Sequence, residues 1–395
     1  VYLKHLSLRN FRNYQELELE APPGLVVLHG ENGQGKSNLL EAVYLLALTR
    51  SHRAENEREL VRFEALTEIP YARVLGVARR SNQSEVSVQV DMALFAPDTT
   101  PSSQQGAGRL RKSIRVNGVP RLASTAIGAI AAVSFAAEDI GLITGPPAGR
   151  RHFLDIMASQ VDRGYVRASQ RYQKVLTQRN HLLRRIKEGA AKTGELAFWD
   201  GELCSQGAKI LLWRAGLVSD LAPLANQAYQ ELAQGGEGLE VRYEPNVEPA
   251  STEEEQARLF QERLSSLRPR EVAVGQTQAG PHRDELRILV RDRELSLYGS
   301  RGEARSAALA LRLAETELLT RRLEEEPILL LDDVLSELDD FRAGRVLERA
   351  ARAQQAFLTT ASLQQHPKAA RQAAVVLEVR GGRLIPEKTA GPPGP

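Results

Sequence analysis

Residues Gly30-Glu31-Asn32-Gly33-Gln34-Gly35-Lys36-Ser37 satisfy the pattern G-x-x-x-x-G-K-S at every required position. They stand between an apolar run, Leu25-Val26-Val27-Leu28, and an apolar stretch from Ser37 to about Leu48. The run reads as a buried strand and the stretch as a helix, which makes the glycines the turn between them. Glycine lets the backbone fold tightly enough to aim several N–H groups at phosphate oxygens, and the helix adds the positive end of its dipole. Gly30, Glu31, Asn32, Gly33, Gln34 and Gly35 are therefore expected to cradle the phosphates of a nucleotide. Lys36 is expected to reach the terminal phosphates and Ser37 to hold Mg²⁺. A glycine-rich turn that carries Lys-Ser by coincidence would not explain both flanks.

A parallel sheet built on such a unit needs a second buried strand with an acid at its carboxyl end. Ile328-Leu329-Leu330-Leu331-Asp332-Asp333 fits that description, with Asp332 placed to meet the metal and Asp333 to orient an attacking water as general base. Most ABC ATPases put Glu at the second position, and the shorter Asp predicts slow hydrolysis. An apolar strand ending in two acids means little alone; its weight comes from its surroundings. Ser300-Arg301-Gly302-Glu303 opens a long helix about thirty residues earlier and resembles the ABC signature, typically Leu-Ser-Gly-Gly-Gln. Ser336-Glu337-Leu338-Asp339 resembles the D-loop. The signature is degenerate, with Arg301 for the first Gly, and a plain Ser N-cap is the alternative reading of Ser300. In ABC ATPases this segment faces the γ-phosphate held by a second protomer. Ser300 and Gly302 are accordingly expected to contact nucleotide in trans, in a homodimer with two ATP molecules between the subunits. Phe357-Leu358-Thr359-Thr360 ends a strand where many relatives place a switch His. Either Thr is then a water or phosphate contact, or an ordinary strand end.

Residues 2–8 and 15–20 read as strands. Period-two alternation from Tyr71 to about Val119, with Asn117-Gly118 as a hairpin turn, predicts an antiparallel sheet. Residues 96–113 are rich in Pro, Ser, Thr, Gln and Gly and read as a mobile surface loop. Residues 150 to about 235 are helical by pattern, with Pro223 interrupting the run near its end. After Glu253-Glu254-Glu255 the chain is expected to return to strands, followed by a helix over Glu303–Arg322, the strand at 328–331 and two strands near 356 and 374. The predicted architecture is α/β: a mixed sheet carrying the phosphate loop, an antiparallel β lobe and a helical insertion. In segments, 1–135 is half of an ATPase head with the β lobe, 136–245 a helical arm, 246–385 the second half of the head, and 386–395 a disordered tail.

The lone cysteine, Cys204, excludes an internal disulfide, and no run approaches the roughly 18 apolar residues of a membrane span, so a soluble protein of a reducing cytoplasm is expected. Val1 leads at once into the alternating Tyr2–Leu8, which reads as a strand rather than a signal peptide. With 52 basic and 50 acidic side chains the net charge is only +2. Any polyanion must then be met by a local patch.

Between Lys36 and Asp332 lie 295 residues, roughly twice the gap of a transporter subunit, and most of the excess is the helical stretch. Such an insertion marks the SMC-like branch of ABC ATPases. Here the resemblance becomes specific. Leu8-Arg9-Asn10-Phe11-Arg12-Asn13-Tyr14, Gly30 to Ser37 with Asn38-Leu39-Leu40-Glu41-Ala42, and Ser51-His52-Arg53 resemble the RecF family of bacterial DNA-repair proteins. So do Glu138-Asp139-Ile140-Gly141-Leu142-Ile143, Arg150-Arg151-His152-Phe153-Leu154-Asp155, Thr277-Gln278-Ala279-Gly280-Pro281-His282-Arg283-Asp284 and Leu331 to Asp339. The resemblance implies an ABC-type head with a short helical arm, ATP-dependent dimerisation, binding to double-stranded or gapped DNA, and work with RecO and RecR in loading recombinase. Glu303-Ala304 stands where family members usually carry Gln after the signature Gly, which puts the strength of the trans contact in question.

Residues Arg150 to Lys187 hold ten Lys or Arg against two acids. DNA phosphates are a natural partner for that run, a solvated helix face being the bland alternative. Without interleaved aromatics, duplex backbone suits it better than stacked single strand. Two residues carry open assignments: Glu138 as a loop acid sensing Mg²⁺ or the attacking water, and His282 in either a dimer or DNA contact or a structural turn. Two rival classes remain at this point, a membrane-coupled transporter ATPase and a small-molecule P-loop kinase. The first would need a shorter insertion and a tighter signature; the second has no use for a signature or D-loop.

Overall fold

A computed structural model describes residues 1–66, 70–95, 109–233 and 238–386. The chain divides into two compact units, Val1–Glu138 with Leu319–Pro395, and Asp139–Leu318. This division differs from the segments expected from the sequence: the chain from 246 to 318 groups with the helical stretch rather than with the sheet of the phosphate loop.

In the first unit, β1 (Tyr2–Phe11), β2 (Tyr14–Glu20), β4 (Tyr71–Arg79), β5 (Glu85–Phe95), β6 (Arg109–Val116) and β7 (Val119–Arg121) form an antiparallel sheet in the order β2-β1-β4-β5-β6-β7. Of the loop expected over 96–113, residues 109–113 are instead strand. Lys112 and Ser113 pair with Met92 and Asp91, and Ile114 is buried beneath the lobe. Residues 96–108 lie outside the described residues, as do 387–395 of the expected tail.

The second sheet of this unit holds β3 (Gly24–His29), β8 (Ala132–Ala136), β12 (Ile328–Asp332), β13 (Gln355–Thr360), β14 (Val375–Arg380) and β15 (Arg383–Pro386), ordered β15-β14-β3-β13-β12-β8. All neighbours are parallel except the β14–β15 hairpin. The helix Lys36–Leu48 packs against strands of both sheets, which is why eleven of its 13 residues are buried and its sequence carries no polar stripe. Gly76 on β4 lets it come close, since a Cβ there would strike the Leu46 side chain.

The second unit is mainly helical, with Pro147–Val161, Arg163–Lys187, Leu196–Leu232 and Glu253–Val274, and a three-stranded antiparallel sheet of β9 (Leu239–Glu244), β10 (Glu285–Val290) and β11 (Arg293–Glu294). Two sequence expectations are corrected here. Pro223 lies inside the 37-residue helix Leu196–Leu232 without ending it. Proline's missing N–H leaves the carbonyl of Ser219 without its helical donor, which the helix tolerates because Ser219 is exposed to solvent. The acidic run Glu253–Glu255 opens a 22-residue helix rather than strands. Thr252 caps it by accepting the Glu255 N–H, and the three acids sit in its first turn, where the helix dipole favours them.

Buried arginines organise this unit. Arg179 gives 2.8 Å and 2.7 Å hydrogen bonds to Asp200 and Glu271 and a third, 2.8 Å, to the Thr277 hydroxyl. Arg214 reaches Asp155 at 2.7 Å, Asp284 at 3.1 Å and the Pro281 carbonyl at 2.7 Å. The segment Thr277–Asp284 is thereby fixed from within. His282 lies 2.6 Å from the Tyr172 hydroxyl and 3.2 Å from the Thr277 carbonyl, which gives it a structural role inside its own protomer.

Candidate functional site

Strand β3 hands the chain to the loop at the amino end of the helix Lys36–Leu48. Gly30, Gly33 and Gly35 take φ of 142°, 82° and 114°, a region closed to side chains. Lys36 folds back over the loop, its Nζ donating to the carbonyls of Gly30 at 2.6 Å and Glu31 at 2.9 Å. Burial lowers the Lys36 pKa, opposed by the nearby carboxylates of Asp333 and Asp332. An ammonium poised over converging amides is a fit for phosphate oxygens.

Two strands away across the parallel sheet, β12 delivers Asp332, and the Ser37 hydroxyl donates to its Oδ1 at 2.7 Å. A hydroxyl and a carboxylate oxygen side by side are hard ligands that suit Mg²⁺ completed by phosphate and water. No group of three or more His, Cys, Asp or Glu that could hold a metal ion occurs among the described residues.

Asp333 has φ 48°, a left-handed conformation unusual for a residue with a side chain. Thr359 holds it there. The Thr359 hydroxyl accepts the Asp333 N–H at 2.8 Å and donates to Asp332 Oδ1 at 2.8 Å, so one buried threonine on β13 ties both acids together. Thr359 thus touches the two acids, a contact that neither alternative open from sequence had named. The Thr360 hydroxyl instead donates to the Ser362 carbonyl at 3.2 Å and accepts the Ser362 N–H at 3.3 Å. Burial pushes the Asp333 carboxyl up; Asp332 adds to the rise, while hydrogen bonding to Ser336 and the charges of Lys36 and His366 oppose it. That is the direction a general base needs. Glu138 is exposed, two residues past Ala136, which pairs with Asp332.

Ser300 and Gly302 belong to the other unit. There Ser300 and Glu303 form a reciprocal cap on the helix Arg301–Leu323: the Ser300 N–H and hydroxyl donate to Glu303 at 2.9 Å and 2.7 Å, and Ser300 Oγ accepts the Glu303 N–H at 3.2 Å. The N-cap reading of Ser300 therefore holds in this chain. Ser336 donates to the Asp333 carbonyl at 2.8 Å, and Asp339 caps the helix Asp340–Arg352.

Several supporting residues had no role assigned from sequence. Arg12 grips Glu41, fully buried in the phosphate-loop helix, with bonds of 2.7 Å and 2.9 Å, and Ser51 hydrogen-bonds the same carboxylate. Asn13, Tyr14, Gly381 and Gly382 reach the phosphate loop itself. The paired glycines were the available signal, since both adopt positive φ.

A phosphate loop and an acidic strand in one parallel sheet, beside an antiparallel lobe and interrupted by a long helical insertion, define an ABC-type ATPase head of the SMC kind. The family profile described as RecF/RecN/SMC N terminal domain matches residues 2–383. The chain is 41% identical to the DNA replication and repair protein RecF of Herpetosiphon aurantiacus, with 92% of this chain and 93% of that protein covered. It is 36% identical to the RecF of Halalkalibacterium halodurans, over 97% and 99%. Among solved structures, the recombination mediator protein RecF-ATPrS in the RecFOR pathway superimposes with TM-score 0.85 at 32% identity, covering 98% of each chain. A Smc head domain from Pyrococcus furiosus shares the fold alone, with TM-score 0.52 at 16% identity and coverage of 97% and 96%. The chain belongs to the RecF family of DNA replication and repair proteins, which sets aside the transporter and small-molecule kinase alternatives.

Proposed function

We propose that this chain is an ATP-dependent DNA clamp: ATP and Mg²⁺ bind at Gly30–Ser37 and Asp332, two protomers close on double-stranded or gapped DNA, and slow hydrolysis reopens them. The observation that carries the reading is the 2.7 Å bond between Ser37 and Asp332, residues 295 positions apart that meet as a phosphate-loop hydroxyl and a metal-binding acid. When bound, ATP supplies a phosphoanhydride whose cleavage drives release. Lys36 and the loop amides bind its phosphates, Ser37 and Asp332 hold the metal, and Asp333, raised by burial, takes the proton of the attacking water. The Ser300 cap and Gly302 are assigned to the partner's γ-phosphate, a role in which the Ser300 hydroxyl must turn from Glu303.

The DNA surface is assigned to the helix Arg163–Lys187. Arg163, Arg167, Arg171, Lys174, His181 and Arg185 recur every three, four or seven residues, and all are exposed. Only Arg171 of these is committed to an ion pair among the described residues, with Glu202 at 2.7 Å. The helix is about 37 Å long, close to one turn of B-form duplex. Two of the ten basic residues counted in sequence, Arg150 and Arg179, are buried in ion pairs and contribute nothing to this face. The solved relative's place in the RecFOR pathway supports RecO and RecR as partners. No helix among the described residues is long and apolar enough to cross a membrane, and action in the cytoplasm at the nucleoid is part of the proposal.

Sedimentation of the purified protein with and without a slowly hydrolysed ATP analogue and a gapped duplex tests the clamp. A DNA-bound dimer that forms only with nucleotide is expected; a monomer that ignores DNA under all conditions would overturn it.

A further inference from the structure

The phosphate loop is held from behind by two segments far apart in sequence, one around Asn13 and one around Gly382. In a trans peptide the carbonyl and the following N–H point in opposite directions. Fixing the carbonyls of Gln34 and Gly35 on one side of the loop therefore aims the N–H groups of Gly35 and Lys36 at the other. Four donors do the fixing. The Gln34 carbonyl accepts from Asn13 Nδ2 at 2.8 Å and from the Gly382 N–H at 3.1 Å. The Gly35 carbonyl accepts from the Tyr14 hydroxyl at 2.9 Å and from the Leu39 N–H at 3.1 Å, the latter being the first helical bond. The Gln34 side chain adds a tether of its own, its Oε1 accepting the Gly381 N–H at 2.7 Å.

Asn13 lies in the β1–β2 turn and Tyr14 opens β2 directly after it; Gly381 and Gly382 form the β14–β15 turn. Asn13 also accepts from Asn38 Nδ2 at 2.9 Å, which extends the brace to the first turn of the helix. The fit leaves no slack. A Cβ on Gly35 would lie 2.6 Å from the Asn13 amide, and one on Gly382 2.6 Å from the Asn13 carbonyl, with Gly382 already at φ 72°.

We propose that the β1–β2 and β14–β15 turns are the positioning device of the nucleotide site, with Asn13 and Gln34 as positioning residues that set the direction of the Gly35 and Lys36 amides. The inference rests on the ATP-binding reading above. Backbone amides of such a loop serve the α- and β-phosphates. Loosening the brace therefore weakens ATP and ADP alike, whereas losing a trans contact to the γ-phosphate weakens ATP alone.

The test is a titration of full-length protein with fluorescent ATP and ADP analogues, on wild type, Asn13→Asp, Gln34→Ala, Gly382→Ala and Lys36→Ala, alongside thermal unfolding without nucleotide. Asn13→Asp keeps the shape and replaces the donor to Gln34 by a second acceptor. The expected result is a loss of about tenfold in affinity for both nucleotides in Asn13→Asp and Gln34→Ala, the scale of one hydrogen bond, with unfolding midpoints unchanged. Wild-type affinity for both nucleotides in folded Asn13→Asp and Gln34→Ala overturns the proposal, as does a loss confined to ATP. If Gly382→Ala does not fold, those two variants decide. Failure of wild type to bind either nucleotide, or undiminished binding by Lys36→Ala, instead overturns the nucleotide reading itself.

Discussion

Thr359 carries more of the site than its chemistry suggests. Its hydroxyl is the acceptor for the strained Asp333 amide and a donor to Asp332. Thr359→Val keeps the shape and takes the acceptor from the Asp333 N–H, a loss of about 0.5–1.5 kcal/mol that lets Asp333 relax from its left-handed conformation. Phosphate release by Thr359→Val is expected to fall at least tenfold while ATP affinity changes less, as read by steady-state assay and nucleotide titration. Asp333→Asn removes the proton acceptor, and stable ATP-bound dimers in sedimentation are the expected result; normal turnover by this variant would remove Asp333 from the role of base. His282 makes a pH prediction. Burial holds its pKa down at about 4 against an ordinary 6.5, so the ring is neutral in the fold where the unfolded chain would take a proton. Its contribution is complete above pH 6.5 and is lost as pH falls towards 4, by up to ~3 kcal/mol. Urea midpoints at pH 7 and 4.5 should differ more in wild type than in His282→Gln.

Among the elements, the helix Arg163–Lys187 separates two kinds of arginine that composition cannot tell apart. Arg179 is fully buried between two carboxylates, and Arg179→Leu should destabilise the protein by roughly 3–5 kcal/mol in denaturant titration because Asp200 and Glu271 lose their counter-charge. Arg167→Ala and Arg185→Ala lie on the exposed face and should leave stability alone, each lowering the salt slope of duplex binding by about 1. An unchanged slope in both would move the DNA surface elsewhere. The sequence displayed the phosphate loop, the acidic strand and the long helices because each is a local pattern. It hid the helix Glu253–Val274, where Pro269 breaks the pattern. It also hid the brace on Gln34, because hydrogen bonds between residues some 350 positions apart leave no periodicity. The motif Thr277–Asp284 was visible but silent about purpose; its residues turn out to satisfy Arg179, Arg214 and Tyr172.

For the molecule as a whole, the order β15-β14-β3-β13-β12-β8 has a consequence for how the protein comes into being. Strand β3, which carries the phosphate loop, is flanked by β14 (Val375–Arg380) and β13 (Gln355–Thr360), both more than three hundred residues further along the chain. A ribosome that has made the first three hundred residues has exposed a strand rich in Val and Leu with neither neighbour available. Closing such distant pairs is slow, and unpaired apolar edges invite aggregation in the meantime. If the proposed brace on the phosphate loop holds, competence to bind nucleotide is expected to arrive late in synthesis, after β14 and its turn have left the exit tunnel.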